Sequence, residues 1–465
     1  MIRGANKSAA GFWRQGVAVA ALCVAFAGGA RAETISGALT KAYLNNPDIN
    51  QQRAAVRVSD ENIPKANSGY LPTATAEADA GREDFEPQGI PLTNSSLTNP
   101  RGYGVTVTQN VWNGNKTFNS VRQAESGVFG AREQLRNTVQ NVMLSAVTYY
   151  MDVMRDTAIL ELDRNNVEVL QEQLRQTQDR FNVGEVTRTD VAQAESSLEG
   201  ARATALTAQS QLQASLANYR QAIGDDPKDL APVSPIVRQL PRGLQEAISI
   251  SQVEHPAIVG MLHGIDAAAL AVKIAESALY PTVGLTGQFQ KRYDYNALPG
   301  AQVFTGSVVG QISVPIYDGG VSFASTRQAK EQLSQTELQT DLQRDKVRAA
   351  VVAAWGANQN SAGVLRAARA QVQAAEIALA GVREEAKVGQ RTTLDVLNAQ
   401  QTLLNARVQL VTAEHDSVVN SYSLLAAVGR LSVQSLGLAT AEYDPKVHFD
   451  QVKNKLWGTD TPDGK

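Results

Sequence analysis

Apolar side chains recur at every second residue in short stretches of this chain and at every seventh residue in long ones, and the two patterns follow one another in the same order twice. In 73–80 the run Thr-Ala-Thr-Ala-Glu-Ala-Asp-Ala puts small apolar residues at even positions and mostly polar ones at odd, the period of a strand. A later segment sets Val283, Leu285, Phe289, Tyr293 and Tyr295 against Thr282, Thr286, Gln288, Arg292 and Asp294. Further strands are expected around 103–112 and 303–314. The irregular segments 86–102 and 295–302, with Pro87, Pro91, Pro100 and Pro299, separate the members of each pair, so each pair reads as a hairpin.

The long stretches have a different period. Val153, Leu160, Val167, Leu174 and Phe181 fall seven residues apart, as do Val191, Leu198, Ala205, Leu212 and Tyr219. Leu365, Val372, Leu379 and Ala386, then Leu397, Leu404, Val411, Val418 and Leu425, repeat the pattern. Heptads sustained this long predict coiled-coil packing. No proline interrupts Thr117 to Phe181, so one helix there would run about 100 Å at about 1.5 Å per residue.

The repetition is a tandem duplication. At an offset of 205, Val183-Gly184-Glu185-Val186-Thr187-Arg188-Thr189-Asp190-Val191 faces Val388-Gly389-Gln390-Arg391-Thr392-Thr393-Leu394-Asp395-Val396. At an offset of 209, Asn46-Pro47 faces His255-Pro256 and Tyr70-Leu71-Pro72 faces Leu279-Tyr280-Pro281. The first repeat, 33–223, is expected to hold short helices, a hairpin over 73–113 and long helices over 117–182 and 187–223. A linker with four prolines occupies 224–243. The second repeat, 244–429, holds short helices, a hairpin over 282–317 and long helices over 321–387 and 392–429; 430–465 forms a C-terminal segment with a polar tail.

Residues 1–32 read as a secretory signal: Arg3, Lys7 and Arg14 precede an apolar stretch too short to span a bilayer, and Ala30-Arg31-Ala32 offers a cleavage site. Ala20 and Leu22 do not fit the lipid-attachment pattern around Cys23, the sole cysteine, which is expected to leave with the signal. Loss of four basic residues and no acids then takes the formal charge from −3 to −7, against a nucleic-acid partner. No uninterrupted run of eighteen apolar residues follows the signal, so no transmembrane helix is expected and any membrane segment must be made of strands. By pattern alone the strands suit a bilayer or a small soluble sheet equally well. Four strands cannot close a barrel, whose minimum is about eight, so a transmembrane arrangement requires several chains; three would supply twelve.

No enzyme constellation appears. His255, His263, His415 and His448 lack metal-ligand spacing, and no cofactor or metal is expected. The duplicated Val-Gly-x-x-Thr-x-x-Asp carries more. Gly184 and Gly389 suit the left-handed residue that ends a helix, while Thr187 with Asp190 and Thr392 with Asp395 have capping-box spacing. Two capped helix–turn–helix tips account for the motif. A sharper reading makes Arg391, Asp190 and Asp395 a charged bridge between neighbouring helices at the end of a tunnel. Both hold if each carboxylate caps through one oxygen and accepts from arginine with the other.

Taken together, these features resemble the TolC family of outer-membrane efflux and type I secretion channels over roughly 33–440. Ala42-Tyr43-Leu44-Asn45-Asn46-Pro47, Ser68-Gly69-Tyr70-Leu71-Pro72 and Ser313-Val314-Pro315-Ile316-Tyr317-Asp318-Gly319-Gly320 carry the likeness beside the tips. The resemblance implies an α+β membrane protein in which four transmembrane β-strands per protomer share a twelve-stranded trimeric barrel, continued by a long coiled-coil α-helical barrel. It implies a channel without catalysis in the outer membrane of a Gram-negative bacterium, extending into the periplasm. Its expected partners are two further copies, outer-membrane lipid, a periplasmic adaptor and an inner-membrane transporter of ABC or RND type. By the same resemblance, Thr189, Asp190, Arg391, Asp395 and Asn398 form the gate, which opens like an iris, and Gly184, Thr187, Gly389 and Thr392 form the tip turns that meet the adaptor. Ala386 stands where the family has a tyrosine latch, and Asn398 where it has a second aspartate, which implies one fewer ring of charge and a weaker lock. A periplasmic coiled-coil adaptor or structural protein of an export system is the alternative; it explains the heptads but not the hairpins or the tandem copies.

Overall fold

The computed structural model describes residues 32–86, 96–462 and 464. The signal up to Arg31 and the prolines Pro87 and Pro91 lie outside the described residues. Each repeat begins with short helices: α1 (Ile35–Asn45), α2 (Pro47–Asp60) and α3 (Asn62–Asn67) in the first, α6 (Leu244–Glu254) and α7 (Pro256–Glu276) in the second. The sequence match between Asn46-Pro47 and His255-Pro256 has a physical basis. Asn46 Oδ1 accepts from the Asp48 amide at 2.9 Å and His255 Nδ1 accepts from the Ala257 amide at 3.2 Å, each capping a helix whose first residue is proline.

Four strands follow the two openings: β1 (Thr73–Ala80) and β4 (Arg101–Trp112) in the first repeat, β5 (Thr282–Tyr293) and β6 (Gln302–Ser313) in the second. They form one antiparallel sheet in the order β1-β4-β5-β6, so β4 and β5 join the repeats while β1 and β6 are its edges. The register sorts most of the side chains by face, with exceptions such as Lys291 on the apolar face and Val309 on the polar one. Val105 faces Phe289, Val107 faces Ala74 and Gly287, and Leu285 and Phe289 face Gly310 and Gly306, all on one face. Thr75, Thr106, Thr286, Gln288 and Ser307 occupy the other. Tyr103, Phe289, Phe304, Val308 and Ile312 are exposed on the apolar face, a distribution that water disfavours and lipid favours.

The segment read as irregular between the first pair of strands contains a small ladder of its own, β2 (Glu83–Phe85) with β3 (Ser96–Thr98). Tyr295 leaves the strand pattern: β5 stops at Tyr293, and Asp294 and Asn296 adopt φ of 55° and 53° in the turn that leads to β6.

The sheet passes into the long helices through tight turns. At Gly114 a side chain would place Cβ 2.7 Å from the Ser277 carbonyl, so only glycine fits. Asn113 caps the first helix through its own Thr117, and Asp318 caps the second through the amide of Ser322 at 2.8 Å. Helices α4 (Lys116–Asn182) and α8 (Val321–Lys387) have 67 residues each, about 100 Å. Helices α5 (Arg188–Ile223) and α9 (Thr393–Ala427) fold back along their far halves. In α5 the buried or half-buried positions Leu198, Ala201, Ala205, Ala208, Leu212, Ser215 and Tyr219 alternate spacings of three and four, the seam of a coiled coil. In α4 the seam is Leu160, Asp163, Val167, Leu170, Leu174 and Thr177. Its polar members, Asp163 and Thr177, were invisible to a search for apolar heptads, and Phe181 at its end is exposed.

Near the strands, α7 takes the place of the missing half-length helix. It runs antiparallel to α4: Gln123 donates to the Ala267 carbonyl at 3.3 Å, and Gly130 approaches Gly260. The helical stretch Leu244–Leu279 is by length and composition apolar enough to cross a membrane. The apolar run is interrupted by His263 and Asp266, which hid it from a search for unbroken runs, and the structure lays α7 against α4 and α8.

The main core is equatorial, halfway along α4, where Leu39, Ile49, Val56, Met143, Tyr150, Tyr219, Leu425 and Leu431 pack together. There the Tyr150 hydroxyl reaches both the Glu33 carbonyl at 2.7 Å and the Ala231 carbonyl at 2.8 Å, tying the first described residues to the linker. Burial pushes its pKa up to about 12, so it stays a donor. The short helix α10 (Pro445–Val452) docks on α2 through His448 Nδ1 and the fully buried Asp60, 3.0 Å apart. His415 bridges Asp152 at 3.0 Å and Asp416 at 2.8 Å, and His263 lies against Phe129, ring centres 5.4 Å apart.

Candidate functional site: the helix tips

Both tips are closed by the same local chemistry. Gly184 and Gly389 have φ of 79° and 80°, and each permits a pair of bonds that satisfies the last carbonyls of the preceding helix. Gly184 donates to the Phe181 carbonyl and Glu185 to that of Arg180; Gly389 donates to Ala386 and Gln390 to Glu385. The following helices start with reciprocal caps. Thr187 and Thr392 amides donate to Oδ2 of Asp190 and Asp395, both at 2.9 Å, and the aspartate amides donate back to the threonine hydroxyls at 3.3 and 3.2 Å. The hydroxyls also donate to the same Oδ2 atoms, at 2.7 and 2.8 Å. Hydrogen bonds from the Thr187 side chain and backbone hold the Asp190 carboxyl below the ordinary aspartate range. The Thr392 backbone and side chain do the same for Asp395.

The charges at the two tips are arranged with opposite polarity. In the first, Arg180 on the last turn of α4 meets Glu185 beyond the turn at 3.0 Å. In the second, the acid lies on the helix: Arg391 Nε donates to Glu385 Oε2 at 2.8 Å. This bond, with its charge, raises the Arg391 pKa. Among the described residues of one chain, therefore, Arg391 pairs with Glu385 rather than with Asp190 or Asp395. Glu385 competes successfully because the glycine turn folds Arg391 back over the end of α8, where an acid otherwise faces the unfavourable negative end of the helix.

A cleft of about 1030 Å³ separates the two hairpin ends, lined by Arg180, Glu185, Thr187 and Asp190 on one side and Arg383, Glu384, Gly389, Arg391 and Thr392 on the other. It brings Asp190 and Arg391 to a common space. Thr189 is exposed on the first turn of α5, and Gly184 at the turn before it. Asn398 lies elsewhere, in a groove of about 400 Å³ shared with Asp163, Gln193 and Gln400. Arg180, Glu185, Arg383 and Glu385 were missed from sequence. Only the pairing of opposite charges around each glycine turn could have pointed to the first pair and to Glu385.

The family model for outer membrane efflux proteins matches residues 38–225 and 247–430, one segment in each repeat. The chain belongs to that family. It is 41% identical over 436 residues to the outer membrane efflux protein BepC of Brucella suis, covering 94% of both chains, and 25% identical over 420 residues to the outer membrane protein TolC of Escherichia coli, covering 87% of this chain and 84% of that one. Its fold matches the crystal structure of the Campylobacter jejuni CmeC outer membrane channel with a TM-score of 0.78 at 17% identity, over 90% of this chain and 89% of that one. The protein is accordingly an outer-membrane efflux channel of the TolC family and not an enzyme, which removes the adaptor alternative.

Proposed function

We propose that three copies close a twelve-stranded barrel in the outer membrane and that their helices continue it as a tunnel through the periplasm. The observation that supports this reading is the sheet with two free edges, β1 and β6, and one exposed apolar face. Open strand edges are not tolerated in lipid, and pairing β1 of one copy with β6 of the next removes all of them at once. The tunnel receives substrates, drugs or secreted protein, from an inner-membrane transporter of ABC or RND type through a periplasmic adaptor, whose helices meet the tip turns at Gly184, Thr187, Gly389 and Thr392.

The periplasmic end is gated by outward movement of α8 and α9. Arg391, Asp395 and Asn398 line the constriction, and Thr189 and Asp190 of the facing helix complete it. Three Asp395 carboxylates around one axis favour cations. With Asn398 uncharged and Ala386 without a hydroxyl, one ring of charge and a helix-bridging tyrosine hydroxyl are missing, so the closed state is held weakly. The Arg391–Glu385 bond keeps the second tip compact, and releasing it frees the turn to splay. The test is the conductance of the purified protein in a planar bilayer before and after Arg391→Ser. Discrete small steps that grow in the variant support the pore and its gate; verified trimers that insert and conduct identically with and without Arg391 refute the gate.

A further inference from the structure

Where α2, α4 and the segment after α9 meet in the equatorial core, a cavity of about 170 Å³ is walled by Arg53, Arg132, Arg136 and Tyr443, against a single acid, Glu442. Arg136 is committed to Glu133 at 2.7 Å, and Glu442 accepts from Gln434 at 2.6 Å. Of the other two arginines, among the described residues, Arg132 has only a long ion pair with Asp60, and Arg53 has none. Arg53 donates to Asn50 at 2.9 Å and to the Tyr43 carbonyl at 3.2 Å and lies over the rings of Tyr43 and Tyr443. Its Nε is buried without an acceptor, and among the described residues no carboxylate pairs with it.

Arg132, with a side chain 15% exposed, rests against Phe129 and Phe449 with centroid distances of 5.7 and 5.2 Å. Its Nε and Nη2, the two adjacent N–H groups of one guanidinium edge, are both buried and unbonded. Asp60 Oδ1, itself buried without a hydrogen bond, faces that edge in a long ion pair, 3.9 Å from Nη2, while the other oxygen of Asp60 serves His448. The hydroxyl of Tyr443 is likewise buried and unpaired. Four polar groups without a hydrogen bond thus belong to three residues that line one cavity.

Buried donors without partners are rare, and charged ones are the most costly. A group that satisfies all of these at once and also offsets the guanidinium charge is small, rich in acceptors and negative. The Nε/Nη2 edge of arginine matches two oxygens of a carboxylate or phosphate. We propose that this cavity binds a small free oxyanion of the phosphate class, which clamps the C-terminal segment around Tyr443 onto α2 and α4. A lipid phosphate is disfavoured because Arg132 is sixteen residues along α4 from its start beside the strands, about 24 Å away. The inference is independent of the gate.

The test uses the full-length channel in detergent and phosphate-free buffer, titrated with inorganic phosphate against sodium chloride at matched ionic strength. A saturable rise in melting temperature and broadening of the phosphate ³¹P resonance are expected, both lost in Arg132→Gln, reduced in Arg53→Gln and kept in Arg407→Gln, a site on the lower helices. An effect no larger than that of chloride, or one unchanged by Arg132→Gln, overturns the proposal, as does a response to a phospholipid headgroup but not to inorganic phosphate. If Arg132→Gln does not fold, ³¹P broadening in the unaltered protein and its reversal by sulfate decide the matter, and their absence overturns it.

Discussion

Arginine placed on adjacent residues of β6 should have opposite consequences. Val308 and Ser307 lie mid-strand, facing Gly287 and Gln288 of β5 respectively, and therefore project from opposite faces of the sheet. Val308 is 69% exposed among Phe304, Ile312 and Phe289 on the apolar face. If that face meets lipid, Val308→Arg puts a guanidinium near the bilayer midplane at a cost of about 2–4 kcal/mol per strand. Three copies raise this to about 6–12 kcal/mol per barrel, and since about 1.4 kcal/mol is a factor of ten, the assembly equilibrium falls by at least about four orders of magnitude. Ser307→Arg points into water inside the barrel and should cost less than about 0.5 kcal/mol. The assay is denaturant-titrated folding into liposomes, read as heat-modifiable oligomer on gels. Equal penalties for the two substitutions, or a larger one at Ser307, would refute the assignment of faces.

Other consequences are as specific. Tyr150→Phe removes the donor shared by the carbonyls of Glu33, which keeps the Ala231 amide, and of Ala231, and should cost about 1–3 kcal/mol, with amide exchange rising first across 225–235; unchanged protection there would count against the pin. His415 is half of a buried charge pair: burial lowers its pKa, but the carboxylates of Asp152 and Asp416 outweigh that and leave it raised. Its contribution is complete below the ordinary histidine value, about 6.5, and is lost as pH rises through the elevated folded value, so the stability difference between the unaltered protein and His415→Gln should shrink on that side; a difference that grows with pH contradicts the pair. The depressed carboxyls of Asp190 and Asp395 have the reverse sign: both caps should persist at ordinary aspartate pKa values and fray only as pH falls further, seen as faster exchange of the amides of Asp190 and Asp395.

The parts of this molecule that were legible in its sequence are those governed by local periodicity and by turn chemistry. The two glycine turns and their threonine–aspartate caps need only neighbouring residues, and the proline-led α2 and α7 start where Asn46 and His255 can reach an amide two residues on. What was hidden depends on distant partners or on departures from a simple pattern. The pairing of β4 with β5, which fuses the repeats into one sheet, joins residues nearly two hundred apart, such as Val105 and Phe289. The seam of α4 is carried at Asp156, Asp163 and Thr177 by polar groups that no apolar heptad search finds, and Asp156 is there only because Ser215 and Arg155 satisfy it. Arg391 was assigned from its position in the motif, while its partner Glu385 became evident only when the turn was seen to fold back.

The claim on which all else rests is that β1 of one copy pairs with β6 of another. In a background with Cys23 replaced by serine, Thr75→Cys should be combined in turn with a cysteine at each of 303–313 and oxidised in native outer membranes. The account predicts cross-linking at a narrow run of β6 positions, giving a ladder that stops at three chains. Cross-links confined within single chains, or a ladder that continues past three, would contradict it.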